Sequence, residues 1–384
     1  MPVTVAHLTT VDMSLRFLVL AQLRAVRDRG GRAIGISAPG PWVPELEAEG
    51  IEHFPLRSST RSMNLAGDVR AARELWHIIR RERVDVLHTH NPKPGLYGRV
   101  VGRAARVPVV VNTVHGLYAT QEDALVKRAL VYALEGIAAR CSDAELFQNR
   151  EDLALMQRLH LTRHARLLGN GVDLTRFDPE RFSAADRARV RAELGVDDDT
   201  VVVGAVGRLV AEKGYPELFA AMEHLPDRYR LVVVGGEDPE KPDSLPAEIL
   251  ARARGRGVRF LGHRDDVDRL YAAMDVFVLA SHREGFPRAA MEASAMALPV
   301  VATDVRGCRE VVDPGVTGEL VPVQDPAALS SALLALGEPE HRAAFGGAAR
   351  QRARAHFDER RVVEAVLATY REVARRKGVD LGPL

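Results

Sequence analysis

With 384 residues, 46% of them hydrophobic and 27% charged, the chain has the composition of a soluble globular protein of two domains or one large one. A formal net charge of +1 excludes the global signature of a nucleic-acid binder, and no apolar run reaches the length of a membrane span. Two cysteines, Cys141 and Cys308, stand far apart and outside any CxxC, which argues against a disulfide framework or a zinc site.

The first residues, "MPVTVAHLTTVD", lack the basic start and apolar core of a signal peptide and read as a β-strand, so the expectation is a cytoplasmic protein. Further strands are read at "RAIGISA", "IEHFPL", "VDVLHTH", "VPVVVNT" and "AELFQ", separated by helices such as "SLRFLVLAQLRAVRDRG" and "LAGDVRAARELWHIIRRE". These strands are nearly all apolar, as expected when both faces of a sheet are covered, and the alternation implies a parallel, doubly wound α/β sheet. Arg70, Arg73, Arg80, Arg81 and Arg83 cluster on the second helix and its end. They form either a solvated face or a contact for an anionic membrane surface.

The pattern pauses from Leu167 to Arg189, where Asn-Gly and Asp-Pro mark turns, and the hinge is placed there. A second series follows: "TVVVGAVG", "YRLVVVGG", "GVRFLG", "DVFVLA", "PVVATD" and "GELVP", then helices from Asp325 to about Lys377 broken near Gly337–Pro339 and Phe357–Asp358. The reading is two Rossmann-like domains, 1–168 and 169–357, with a ligand expected at the carboxyl ends of the strands.

Chemistry gathers on the second series. In "GRLVAEKGY", Arg208 follows a strand and Lys213 precedes a helix, which suits them to the charge that develops on a departing diphosphate; two surface cations are the plainer alternative. In "HREGFPRAAMEA", Glu284 is delivered by a strand end, and Pro287 suits a first helical position. The amides from Gly285 and Phe286 onward make a helix N-terminus suited to an anion. Glu292 stands one and a half turns into an alanine-rich helix, where its carboxylate can hold a ribose diol or be merely a surface group.

Glu284 and Glu292 form an E-x7-E element, and "NGVD", "GRLVAEKG", "VVVGG", "RFLGHRDDV" and "GVTGELVP" occur in order. On these motifs the chain resembles the retaining glycosyltransferases of family 4, which have the GT-B fold. The resemblance covers nearly the whole chain. It implies that Arg208 and Lys213 hold the donor diphosphate, that Glu284 contacts the transferred sugar, and that Glu292 contacts the ribose. Gly235–Gly236, the Gly262–His263 loop and the Gly285–Arg288 turn, with Phe286 and Pro287, would complete the donor site.

In the first domain "VNTVHGLYA" makes His115 the residue expected to face the reacting carbon. His90, Asn91 and Lys93 of "LHTHNPKPG" are acceptor-side candidates. Asp12 joins them, since "TTVDMS" replaces the Gly-Gly pair many members carry after the first strand. The last helix, about 358–377, resembles the segment that returns to the first domain in this fold.

The resemblance further implies transfer with retention from a UDP- or GDP-sugar, the departing phosphate oxygen taking the acceptor's proton. No cofactor is expected. No metal is expected either: Asp197–Asp199 and Asp266–Asp268 fit D-x-D but read as solvated turn and helix-end carboxylates. The first-domain text suggests a polyprenyl-diphosphate-linked saccharide as acceptor, in polysaccharide or glycan assembly at the cytoplasmic membrane face. The alternatives are a small soluble acceptor, a sugar-nucleotide 2-epimerase, or a silent nucleotide-sugar sensor. A nucleotide-binding oxidoreductase is disfavoured, because "GLYGRVVGR" (Gly95, Gly98, Gly102) is not G-x-G-x-x-G and follows the fourth strand.

Overall fold

The computed structural model describes every residue except Met1, 61–63, Asn91, 120–122, Glu240 and Pro242. The chain divides into two units, Met1–Gly169 with Arg360–Leu384, and Asn170–Glu359.

The first unit is built on a sheet of β1 (Thr4–Val11), β2 (Arg32–Ala38), β3 (Glu52–Pro55), β4 (Val86–His90), β5 (Val109–Val114), β6 (Ala144–Phe147) and β7 (Ala165–Leu167). Its order is β3-β2-β1-β4-β5-β6-β7, and every adjacent pair is parallel. β4 and β5 are buried along their whole length, their polar His88, Thr89, His90, Asn112 and Thr113 included. β7 is not among the strands expected from sequence: its three residues, Ala-Arg-Leu, are too few to show a pattern, and they form a strand by pairing with the edge of β6.

One face of this sheet is covered by the helix Pro92–Ala104. Its three glycines form the contact surface: a Cβ on Gly98 would lie 2.5 Å from Leu8 and 2.8 Å from Thr89, and one on Gly102 would lie 2.7 Å from Leu87. The glycine triplet is therefore a packing device and not a cofactor loop. Arg99, fully buried, locks the same helix by bonding Glu145 at 2.9 Å and Glu135 at 2.5 Å. Gly98→Ala should cost about 1–3 kcal/mol by overpacking, read as a lower denaturation midpoint with an unchanged slope. The opposite face carries Val5, Val86, Val109 and Val111, which pack with Val366, Tyr370 and Val373 of the long helix Glu359–Lys377. That helix is amphipathic, and its apolar stripe joins the first unit's core.

The second unit holds β8 (Val201–Val206), β9 (Tyr229–Val234), β10 (Arg259–Phe260), β11 (Val276–Leu279), β12 (Val300–Thr303) and β13 (Gly318–Val321), in the order β10-β9-β8-β11-β12-β13. In each unit the order reverses beside its first strand, between β1 and β4 and between β8 and β11. Loops leaving the carboxyl ends of those strands diverge there and leave room for a ligand. Helices fill the remainder, including Pro326–Ala335, Pro339–His356 and the short Arg288–Ala295.

Candidate active site

In the second unit the loops after β8 and β11 meet. Gly214 makes this possible: it has φ of +68°, and a Cβ there would lie 1.9 Å from the Ala280 carbonyl oxygen. The approach brings Lys213 Nζ to 2.6 Å from Glu284 Oε1, and Ser281 Oγ donates to the same oxygen at 2.7 Å. His282 N donates to the Glu212 carbonyl at 2.8 Å, tying the loops a second time. His282 Nε2 also lies 2.9 Å from Glu217.

The other cation, Arg208, stands on the same segment after β8. Gly207 N donates to Val234 O at 2.9 Å and Leu209 N to Gly236 O at 3.0 Å, so "VGRL" runs alongside "VGGE". Gly235, at φ +145°, has no room for a side chain, since a Cβ would lie 2.0 Å from Gly207 O. Arg208 Nη1 reaches Asp238 at 2.5 Å. Each cation thus rests on a carboxylate, Arg208 on Asp238 and Lys213 on Glu284, and both remain partly exposed. Both cations are already engaged in charge-assisted contacts to oxygen.

The "EGFPR" turn is braced by the motif before it. Asn170 Nδ2 donates to Phe286 O at 3.2 Å, and Arg288 Nη1 donates to Gly171 O at 2.9 Å. Pro287 is the N-cap and not the first helical residue, because its ψ of 113° is extended. Glu292 accepts from Tyr271 Oη at 3.2 Å and lies 3.9 Å from Arg288. Burial raises its carboxyl above the ordinary range, opposed by Arg288. Gly235 N donates to Gly262 O at 2.8 Å, which sets the Gly262–His263 loop at the strand end, with His263 exposed. Sequence reasoning missed Asp238, Ser281, Tyr271 and Asn170. Only Asn170 carried a signal, as part of "NGVD".

Three of the four D-x-D residues are engaged elsewhere. Asp197 accepts from Thr200 at 2.5 Å, Asp266 pairs with Arg264 at 2.7 Å, and Asp268 pairs with Arg181 at 2.9 Å and Arg176 at 3.3 Å. These are cation-bound or turn-closing carboxylates.

In the first unit His115 follows β5 and His90 ends β4. His90 Nδ1 lies 3.0 Å from His115 Nε2. Burial lowers the His115 pKa to about 4 and that of His90 well below its usual value, so both rings are neutral at pH 7. The remaining acceptor-side candidates are differently placed. Lys93 pairs with Asp68 at 2.6 Å, and Asp12 is buried, accepting from Trp42 N at 2.7 Å and Met13 N at 2.8 Å. Asp12 therefore braces the loop after β2, a local structural use the sequence did not reveal. Asn91 lies outside the described residues.

Two Rossmann-ordered sheets, one carrying Arg208, Lys213 and Glu284 on the loops at its strand ends, are the architecture of a nucleotide-sugar glycosyltransferase of GT-B fold. Residues 16–171 match the family described as Glycosyl transferase 4-like domain and residues 186–352 match Glycosyl transferases group 1, and the chain belongs to these family 4 glycosyltransferases. It is 33% identical over 306 residues to D-inositol 3-phosphate glycosyltransferase of Xylanimonas cellulosilytica, spanning 76% of this chain and 73% of that one. It is 29% identical to UDP-Gal:alpha-D-GlcNAc-diphosphoundecaprenol alpha-1,3-galactosyltransferase of Escherichia coli, over 77% of each chain. Among solved structures, HepE of Anabaena in complex with UDP and glucose aligns with a TM-score of 0.80 at 20% identity, over 96% of this chain and 99% of that one, a likeness of fold.

Proposed function

We propose that the protein moves a hexosyl or N-acetylhexosaminyl group, with retention, from a UDP- or GDP-sugar to a polyprenyl-diphosphate-linked saccharide at the cytoplasmic face of the membrane. The contact between Lys213 and Glu284 carries the reading, because it puts a leaving-group cation and a sugar-binding carboxylate on one spot. Arg208 and Lys213 neutralise the departing diphosphate, and the Gly285–Phe286 amides add their dipoles. Glu284 holds sugar hydroxyls, Glu292 the ribose, and the Gly235 and Gly262–His263 loops approach the nucleotide. The acceptor oxygen attacks the face the diphosphate leaves, and the departing phosphate oxygen takes its proton. Fixed cations in these positions supply the charge that a divalent ion supplies in other transferases.

Two observations favour a lipid-linked acceptor. The Escherichia coli relative acts on a diphosphoundecaprenol-linked sugar. In the first unit the helices Leu65–Glu82, Pro92–Ala104 and Leu125–Ala139 lie side by side. Their outer faces expose Leu65 (82%), Val126 (82%), Leu125 (76%) and Leu130 (60%). The arginine cluster from Arg70 to Arg83 lies on the first of these helices and its end, and this mixture suits an anionic lipid surface.

The relative that acts on D-inositol 3-phosphate supports a second reading, a small phosphorylated acceptor. Partition of radiolabelled sugar decides between them. With membrane extract and a panel of nucleotide sugars, label should pass to the organic phase, and at an unchanged rate in chelator. Label confined to the water phase in a new small saccharide would favour the second reading. Label returning as an epimeric nucleotide sugar would sink both, and a magnesium requirement would remove the metal-free step.

A further inference from the structure

Strand alternation gives the first unit a row of imidazoles. His7 on β1 stands in register with His88 on β4, and His90 stands beside Thr113 on β5. All four side chains project from the face covered by the helix Glu359–Lys377, and His115 follows two residues beyond Thr113. His7, His88, His90 and Tyr370 are fully buried.

They are joined in one line. Thr113 Oγ1 lies 2.8 Å from His88 Nε2, and His88 Nδ1 lies 2.6 Å from Tyr370 Oη. Tyr370 Oη lies 3.3 Å from His7 Nε2, and His7 Nδ1 lies 2.9 Å from His90 Nε2. His90 Nδ1 then meets His115 Nε2 at 3.0 Å. Both nitrogens of His88, His7 and His90 are used within the line.

A neutral imidazole has one N–H and one lone pair, and a hydroxyl gives one proton. Two proton arrangements therefore fill every contact with Tyr370 donating to one neighbour and accepting from the other. In one, all four rings carry the proton on Nδ1, Thr113 donates to His88, and Tyr370 donates to His7. In the other, all four carry it on Nε2 and every bond runs backwards. A mixture at a ring-to-ring contact sets two N–H groups or two lone pairs against each other, and a mixture across Tyr370 either opposes two lone pairs or leaves the phenol proton without an acceptor in the line; each unsatisfied buried group costs about 1–3 kcal/mol.

We propose that His88, Tyr370, His7 and His90 are positioning residues for His115: they hold its ring and couple its tautomer to that of the whole row. The chain makes the C-terminal helix part of the site, because Tyr370 supplies the link between two strands' histidines. The proposal rests on the reading of His115 as the group facing the reacting carbon.

A metal centre is the competing use. His7, His88 and His90 are the one group of histidine, cysteine or acidic side chains among the described residues close enough to share a cation. A cation would have to displace the His7–His90 bond and place two positive charges in a site whose other partners, Tyr370 and Thr113, are neutral. Directional hydrogen bonds already use those lone pairs.

Long-range 1H–15N correlation of the imidazoles in the labelled full chain at pH 7.5 tests the arrangement directly. Four neutral rings of a single tautomer are expected. Mixed tautomers, or a stoichiometric metal found by elemental analysis, would overturn it. A double-mutant cycle tests the consequence: Tyr370→Phe, which keeps the ring, should lower kcat about fivefold with donor KM unchanged, and should cost nothing further in His115→Ala. An equal loss in that background would show a structural effect and defeat the proposal. Full transfer by His115→Ala would instead strike the assigned role of His115, leaving the spectra to decide the chain.

Discussion

Replacing Arg208 by alanine should lower transfer by at least about a hundredfold, with kcat and kcat/KM falling together, as expected when an electrostatic contact made to the transition state is removed. The geometry gives the reason. Arg208 is anchored on Asp238 at 2.5 Å at the end of β8, on a loop zipped to the one after β9, so its guanidinium is oriented before any ligand arrives. Preorganised charge needs no rearrangement when the bond between the sugar's anomeric carbon and the diphosphate oxygen breaks. Glu284→Gln should cost as much. It leaves the Lys213 ammonium without its charged partner, while the amide oxygen still accepts from Ser281, so the charge alone is lost. Both side chains lie in loops and are partly exposed, so the melting temperature should move little, which separates lost chemistry from lost fold. Initial rates of nucleotide release and of sugar transfer read the effect. Near-normal turnover in Arg208→Ala would remove the cation from the diphosphate.

The first unit should lose stability in mild acid. Burial lowers the His7 pKa from 6.5 to about 3, and those of His88 and His90 well below the ordinary value. The unfolded chain takes up these protons near pH 6.5, whereas the folded unit refuses them until far lower. The unfolded state therefore binds more protons throughout that window, and stability falls as pH drops. Each fully buried ring contributes about 1.4 kcal/mol per pH unit. Three of them remove about 6 kcal/mol between pH 6.5 and 5, a large share of a total stability of about 5–15 kcal/mol. Their partners are one another, Tyr370, Thr113 and His115, so no carboxylate offsets the effect by direct contact. The surface acids with lowered pKa, Glu49, Glu52, Glu82 and Glu372, act only below their ordinary value of 4.5. Buried Glu135, with a raised pKa, works mildly in the opposite sense. Trp42 and Trp76 are the two tryptophans and both belong to the first unit, so their fluorescence follows it alone. The urea midpoint should drop steeply between pH 6.5 and 5.5; a flat profile would mean that the histidines stay solvated.

Much of this protein was legible in one dimension. Unbroken apolar runs such as "VPVVVNT" and "TVVVGAV" declared strands covered on both faces, and their alternation with helices required parallel sheets. Because all strands of such a sheet end on one edge, Arg208, Lys213 and Glu284 could be assigned to a common place from sequence alone. Composition and local pattern suffice for that, since they act over a few residues.

Folding in three dimensions decided the partners. Asp238 under Arg208, Asp12 under the Trp42 amide, and Lys93 on Asp68 all depend on how loops distant in sequence come to rest. The strongest case is the histidine row. "AHL" and "LHTH" gave no hint that His7 and His88 share a phenol with a helix 282 residues beyond His88. Strand register and helix docking are set by the packing of whole faces, and no window of sequence contains that information.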